Sequence, residues 1–242
     1  MNQGVSKLPT TPASGRPGTN YAGSMKEATG YIDTAIGNLL ADLEAKNLLE
    51  NTIIIFTGDN ADSGDPTGLN PGKTRATDNG ARVPFIAWGP GLIKQRGMTD
   101  ELCEVSDMCP TLAEYAGATL PEGQACDGKS MKPFLSGESD SHREWIFSYI
   151  GSARMLREKR YLIEAADPEF GTANGRFYDC GNNRSGFGYR EITELSGEDK
   201  EAADRMYSLL NALLRVDFSK ELAKGVLDVY RSTGNYVHKL VN

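Results

Sequence analysis

The chain has 242 residues, of which 39% are hydrophobic and 24% charged, and a formal net charge of −7. A chain this long buries a core without staples, and its negative balance argues against nucleic acid or an anionic membrane as partner. No apolar run approaches the ~20 residues of a membrane helix, and the N-terminus lacks the apolar segment of a secretory signal.

Residues 1–20 are rich in Pro, Gly, Ser and Thr and predict a loop or linker. From Tyr21 the texture changes. Ile32, Ala35, Ile36, Leu39, Leu40 and Leu43 recur at helical spacing, which predicts a long amphipathic helix ending near Asn47. The run Asn51 to Phe56 is short, continuous and β-branched, and stops at Thr57-Gly58, which predicts a strand buried on both faces. Helix followed by such a strand suggests an α/β unit with a parallel sheet. Val83 to Trp88, closed by Gly89-Pro90-Gly91, predicts a second strand. A short helix follows, with Asp107 as N-cap, Pro110 in its first turn and Gly117 past its end.

Beyond about residue 140 the pattern shifts to short strand candidates at 145–150, 153–156, 161–164 and 176–179, with Arg157-Glu158-Lys159 closing a tight hairpin. Ala202, Met206, Leu209, Leu210 and Leu213 then space out a helix. Strands followed by a helix predict a small α+β subdomain. The expected organisation is a linker over 1–20, an α/β part over 21–140 and the α+β part over 141–242.

Asp59-Asn60 directly follows the first strand, where open α/β sheets collect ligands. A carboxylate beside an amide carbonyl offers two hard oxygens to Ca²⁺ or Mg²⁺, and the same dipeptide is also a common Asx turn. The Gly-rich loop that follows is not an EF-hand, because Ala61 and Asn70 fall where ligands belong. Gly72-Lys73-Thr74 is not a P-loop, since Thr67 replaces the required glycine. Lys73 reads as a solvated surface lysine or as a point charge for an anion. His142 and His238 read as surface histidines, and Arg82 as structural. Cys103, Cys109, Cys126 and Cys180 lack zinc spacing and read as ordinary thiols.

The order of these pieces resembles the sulfatase family, within the alkaline-phosphatase-like superfamily, over its C-terminal half only. The residues that carry the likeness run from Tyr31-Ile32-Asp33 through Thr57-Gly58-Asp59-Asn60 to Gly72-Lys73 and Arg82-Val83-Pro84. They continue with Trp88-Gly89-Pro90-Gly91, Val105 to Gly117, Asp127 to Ser130, Arg143-Glu144-Trp145 and Gly175 to Asp179. The likeness is read as spanning Tyr21 to Leu214. Ala61 stands where Gly is usual and Asp78 where Glu is common. The resemblance implies an α/β fold: the C-terminal part of an alkaline-phosphatase-like mixed sheet core, plus a small α+β subdomain with an antiparallel sheet and a packed helix.

It implies sulfate-ester hydrolysis, with Asp59 and Asn60 as ligands of Ca²⁺ or a similar divalent cation and Lys73 as the sulfate-contacting, catalytic lysine. The family's nucleophile is a formylglycine made in a C/S-x-P-x-R motif, and no cysteine here is followed by x-Pro-x-Arg. The expectation is therefore an isolated chain that is inactive without an upstream segment carrying that nucleophile. Expected partners are a sulfate-ester small molecule or sulfated carbohydrate and that missing segment, with no nucleic acid. Two alternatives stay open: a phosphodiesterase or phosphonate hydrolase of the same superfamily, and a non-catalytic binding chain. Localisation is left open, a periplasmic or secreted full-length protein being consistent with the family.

Overall fold

The structure, a computed structural model, describes residues 25–61, 72–73, 75–95, 97–120, 126–150, 153–166, 175–186 and 188–213. The linker expected over 1–20, the start of the helical texture at Tyr21, Thr67, Leu214 and His238 lie outside these residues. The chain divides into two compact units, Met1–Ile55 with Ala87–Lys94, and Phe56–Ile86 with Gln95–Asn242.

In the first unit, helix α1 spans Met25–Ala45. Tyr31, Ile32, Ala35, Ile36, Leu40 and Leu43 form its half-buried stripe, while Leu39 stays exposed. The helix stops where the sequence predicts. Asn47 adopts a left-handed φ of 54°, its N–H donates to Glu44 O at 2.9 Å, and the Leu48 N–H donates to Leu43 O at 2.9 Å. That pair of bonds satisfies two carbonyls of the last turn, and Asn is the residue after Gly that best tolerates the conformation. Gly89 and Gly91 are required by close approach: a Cβ on either would collide with a backbone carbonyl, of Thr52 or of Glu50.

Strand β1 covers Ile54–Thr57 and pairs with β2, Phe85–Trp88, in a two-stranded sheet. The expected strand buried on both faces is corrected. Leu49–Asn51 is a 3₁₀ turn, Ile54 and Ile55 are half-buried, and Phe56 and Thr57 are exposed. Two four-residue strands are too narrow a sheet to be covered on both sides.

In the second unit, α2 (Asp78–Ala81), α3 (Met108–Tyr115) and α4 (Lys132–Leu135) precede a five-stranded sheet. Its strands are β3 (Trp145–Ile150), β4 (Ala153–Glu158), β5 (Tyr161–Ala166), β6 (Arg176–Asp179) and β7 (Arg190–Glu191). They pair in chain order and antiparallel throughout. The fold is therefore mixed α/β, with an antiparallel sheet and a packed helix as expected. The hairpin turn falls at Lys159-Arg160, starting one residue past the middle of the expected turn, because β4 runs on through Glu158.

Alternation sorts the sheet into two faces. Leu156, Tyr161, Ile163 and Phe177 pack against Ala202, Ala203, Met206 and Leu210 of helix α5, Gly197–Leu213. Met155, Leu162, Tyr178 and Cys180 point the other way and pack on Ala76. Strand β5 carries one extra residue: Arg154 pairs with Ala166 and Leu156 with Ile163. Ala165, at φ 54°, is the bulged residue, and its N–H leaves the ladder to donate to Ala76 O at 3.1 Å. The bulge thus docks the loop that precedes β2 onto the sheet.

Candidate functional site

Strand β1 ends at a turn that carries two of the expected site residues. The Gly58 N–H donates to Pro84 O at 3.3 Å, which keeps the strand paired up to the turn. Asp59 and Asn60 are both exposed. Asp59 Oδ1 accepts the Asn60 N–H at 2.9 Å, and Asn60 Nδ2 donates to Ala61 O at 2.8 Å. The bond spans one residue and not the two of an Asx turn, and both residues, with the second carboxylate oxygen of Asp59 and the amide oxygen of Asn60, are exposed. These are hard oxygens of the type that Ca²⁺ takes, in number two of about 6–8. Among the described residues no group of three or more His, Cys, Asp or Glu side chains is arranged to hold a metal ion.

Lys73, also exposed, follows the buried Gly72. A Cβ at Gly72 would collide with the Asn79 carbonyl, and one at Gly80 with the carbonyls of Arg75 and Gly72. Backbone therefore lies directly on backbone, which only glycine allows. The Arg75 N–H donates to Gly72 O at 3.1 Å, and the Ala61 N–H to Gly80 O at 3.3 Å. Gly80 is the common point: the strand-end turn bonds to it, and the peptide that precedes Lys73 packs on it. The structure so brings the backbones of Asp59-Asn60 and Lys73 to one platform.

Asp78, on the same helical turn as Gly80, is 4% exposed. Its Oδ2 accepts from Arg82 Nη2 at 2.7 Å and Nε at 3.2 Å, and from the Tyr189 hydroxyl. Its N–H donates to Glu164 Oε2 at 3.1 Å. Thr77 caps the turn by accepting from Gly80 N. Arg82 is structural, as its place before the strand predicts, and also donates to Arg184 O at 2.9 Å. Burial, then the hydrogen bond to Asp78, pushes the Tyr189 phenol up to about 12. Glu164 and Tyr189 carry no sequence signal for this role: they lie 86 and 111 residues from Asp78.

A second polar cluster surrounds Asp107, which is fully buried. His142 Nε2 lies 2.9 Å from its Oδ2, and Arg143 Nε donates to both of its oxygens at 3.0 and 2.9 Å. The backbone N–H groups of Lys129 and Glu104 donate to it at 2.7 and 3.1 Å. Burial works to raise its carboxyl, but the bonds from His142, Arg143 and the two amides outweigh it and hold it well below the usual carboxylate range. Two expectations are corrected here. His142 is 4% exposed rather than on the surface. Asp107 does not cap α3 with its side chain, because a preceding 3₁₀ turn, Val105–Asp107, makes a capping box with Glu104 and turns the carboxylate inward. All four cysteines are free, and burial pushes the Cys103 and Cys180 thiols up to about 11, so both stay protonated at neutral pH. No described helix is long and apolar enough to cross a membrane.

The sequence model of the Sulfatase family matches residues 6–118, a stretch that contains Asp59, Asn60 and Lys73. Arylsulfatase A of Homo sapiens is 38% identical over 125 residues, covering 49% of this chain and 24% of that protein. The chain thus spans about a quarter of the length of the curated relatives it matches. Among solved structures, the PsFucS1 sulfatase from Pseudoalteromonas sp. superposes with a TM-score of 0.56 at 24% identity, over 79% of this chain and 42% of that one. A structure described as BT4656, in complex with its substrate D-glucosamine-2-N,6-O-disulfate, superposes with a TM-score of 0.60 at 20% identity, over 79% of this chain and 40% of that one. At these identities the likeness is one of fold. The resemblance read as a C-terminal half only, from Tyr21 to Leu214, is corrected: the family match lies in the N-terminal part of this chain, begins at residue 6 and ends at residue 118. The first residues of that match have no periodicity and so read as linker. The later pieces, around Lys129, Arg143 and Arg176, lie beyond the residues that the family model matches.

Proposed function

We propose that this chain carries part of the active site of a sulfatase-family hydrolase that cleaves sulfate esters. The observation that carries the reading is that Ala61, next to Asp59-Asn60, and Gly72, next to Lys73, both meet Gly80, within the stretch that matches the family. Asp59 and Asn60 would hold a divalent cation, Ca²⁺ or a similar ion, through the two oxygens their turn leaves exposed. Such an ion, when bound, polarises a sulfate oxygen as a Lewis acid. Lys73 presents an ammonium as a point charge against the negative charge on the sulfate and on the leaving oxygen. The finer fold reading is the C-terminal part of an alkaline-phosphatase-like mixed sheet core plus a small α+β subdomain with an antiparallel sheet and a packed helix. The substrate class is a sulfate ester, and the disulfated glucosamine bound by one structural neighbour supports a sulfated carbohydrate.

The test is hydrolysis of an aryl sulfate by the protein as its natural host makes it. Lys73→Ala lowers turnover by on the order of 10²–10³, as loss of a preorganised charge partner does in comparable sites. Lys73→Arg does not restore it, because a planar fork does not fill a point-charge position. Asp59→Ala weakens Ca²⁺ binding in a calorimetric titration. Near wild-type turnover in Lys73→Ala removes the lysine from the site, and a preference for phosphate diesters over sulfate esters replaces the sulfatase reading.

A further inference from the structure

We infer that Tyr189, Asp78 and Arg82 form a positioning device through which the five-stranded sheet sets the place of Lys73 and of the Asp59-Asn60 turn. The catalytic consequence rests on the sulfate-ester reading, while the mechanical part stands on geometry alone.

Lys73 and Asp59-Asn60 sit on exposed turns, and exposed turns fluctuate unless something rigid holds them. The rigid element is the sheet. It grips the Lys73 loop at four points: Ala76 packs on Met155, Leu162 and Tyr178; the bulged Ala165 donates to Ala76 O; Glu164 accepts the Asp78 N–H; and Tyr189 donates to the Asp78 carboxylate. The last contact is a side-chain to side-chain hydrogen bond across 111 residues, and its geometry is fixed from behind. The Tyr189 ring lies 5.2 Å from the buried Arg157 guanidinium and 6.5 Å from the Tyr178 ring, edge on. Its hydroxyl lies 3.2 Å from Arg82 Nη2, so Tyr189, Asp78 and Arg82 close a triangle.

Asp78 begins the helical turn that contains Gly80. A shift of Asp78 therefore moves Gly80, against which the backbone before Lys73 is packed without clearance and to which Ala61 is bonded. Both halves of the candidate site follow from the one contact. Tyr189 is accordingly a positioning residue, not a group that touches substrate.

The experiment is a double-mutant cycle with aryl sulfate as probe, read beside amide hydrogen exchange. Tyr189→Phe keeps the ring contacts and removes only the hydroxyl. It lowers kcat by on the order of 10-fold or more, since small displacements of a positioned group cost that much or more, and leaves KM within about twofold. In the Lys73→Ala background the same change costs less than in the wild type, because one of the two positioned halves is gone while the Asp59-Asn60 turn remains. The Gly80 and Ala61 amides exchange faster in Tyr189→Phe, while those of α5 are unchanged. Asp78→Asn, of equal volume, gives the same pattern. Independent, multiplicative losses, or unchanged exchange at Gly80 and Ala61, overturn the inference. If Lys73→Ala is itself without effect, the lysine leaves the site reading, and the exchange rates alone decide whether the sheet positions the loop.

Discussion

Asp107 and Asp59 are both carboxylates at the end of a short element, and they do opposite things. Asp107 is wholly buried, and its oxygens accept from two cationic or ionisable side chains and two backbone amides. Asp59 is exposed and, among the described residues, accepts from the residue beside it. A buried carboxylate must have its lone pairs filled from within the protein, and once filled it has nothing left to offer a ligand. An exposed one at a strand end keeps an oxygen available. Dense, satisfied polar networks therefore mark where the fold is locked, and sparse polar turns mark where chemistry has room.

That contrast is sharpest in stability. Asp107→Asn leaves Arg143 and His142 without their shared anion, and breaking a buried pair in this way costs about 3–5 kcal/mol, read as a lower urea midpoint. The gap has a defined pH course. The native carboxyl sits below its unfolded value of about 3.9, so its stabilisation is complete above that value and is lost as pH falls through the native one. Wild type and Asp107→Asn should converge in stability as the solution is acidified below about pH 4. A constant gap would mean that Asp107 acts through shape and not charge.

A smaller effect belongs to the same cluster. The Thr111 hydroxyl donates to Asp107 O at 2.6 Å and accepts the Met131 N–H at 2.8 Å. Thr111→Val keeps the volume and strands that amide, which costs about 1–3 kcal/mol in the same melt. The smallest effects are on the other side of the comparison. Asp59→Ala and Lys73→Ala, both exposed, shift stability by less than about 0.5 kcal/mol, whatever they do to turnover. A large loss of stability in either would place that residue with Asp107 as part of the scaffold.

What the sequence shows of this arrangement is what is local. The period of α1, its stop at Asn47, Gly117 at the end of α3 and the Asp-Asn pair after β1 are each set by neighbours within a few residues, so pattern and turn chemistry reveal them. Gly117, at φ 67°, adopts the left-handed conformation its place demands. The contacts that fix the site are not local. His142 meets Asp107 across 35 residues, and Tyr189 meets Asp78 across 111. Helices of four residues, α2 and α4, are too short to show a period, and the β5 bulge at Ala165 leaves no residue type that announces it. Lys73 and Asp59 stood out by their place after a strand, but what holds them had no signal in the chain.

The packing at Gly80 also bears on how the protein ages. Asn-Gly is the dipeptide that degrades fastest in solution, because the glycine nitrogen attacks the asparagine side chain and closes a succinimide. One of the two Asn-Gly dipeptides here is Asn79-Gly80, and the nitrogen that would attack donates instead to Thr77 O at 2.9 Å and Thr77 Oγ1 at 3.2 Å. The carbonyls of Gly72 and Arg75 occupy the place a Gly80 Cβ would take, so the loop is closely packed there. The folded loop thus shields one of the chain's two Asn-Gly bonds, and isoaspartate at position 79 is expected to form only from states in which the loop is open.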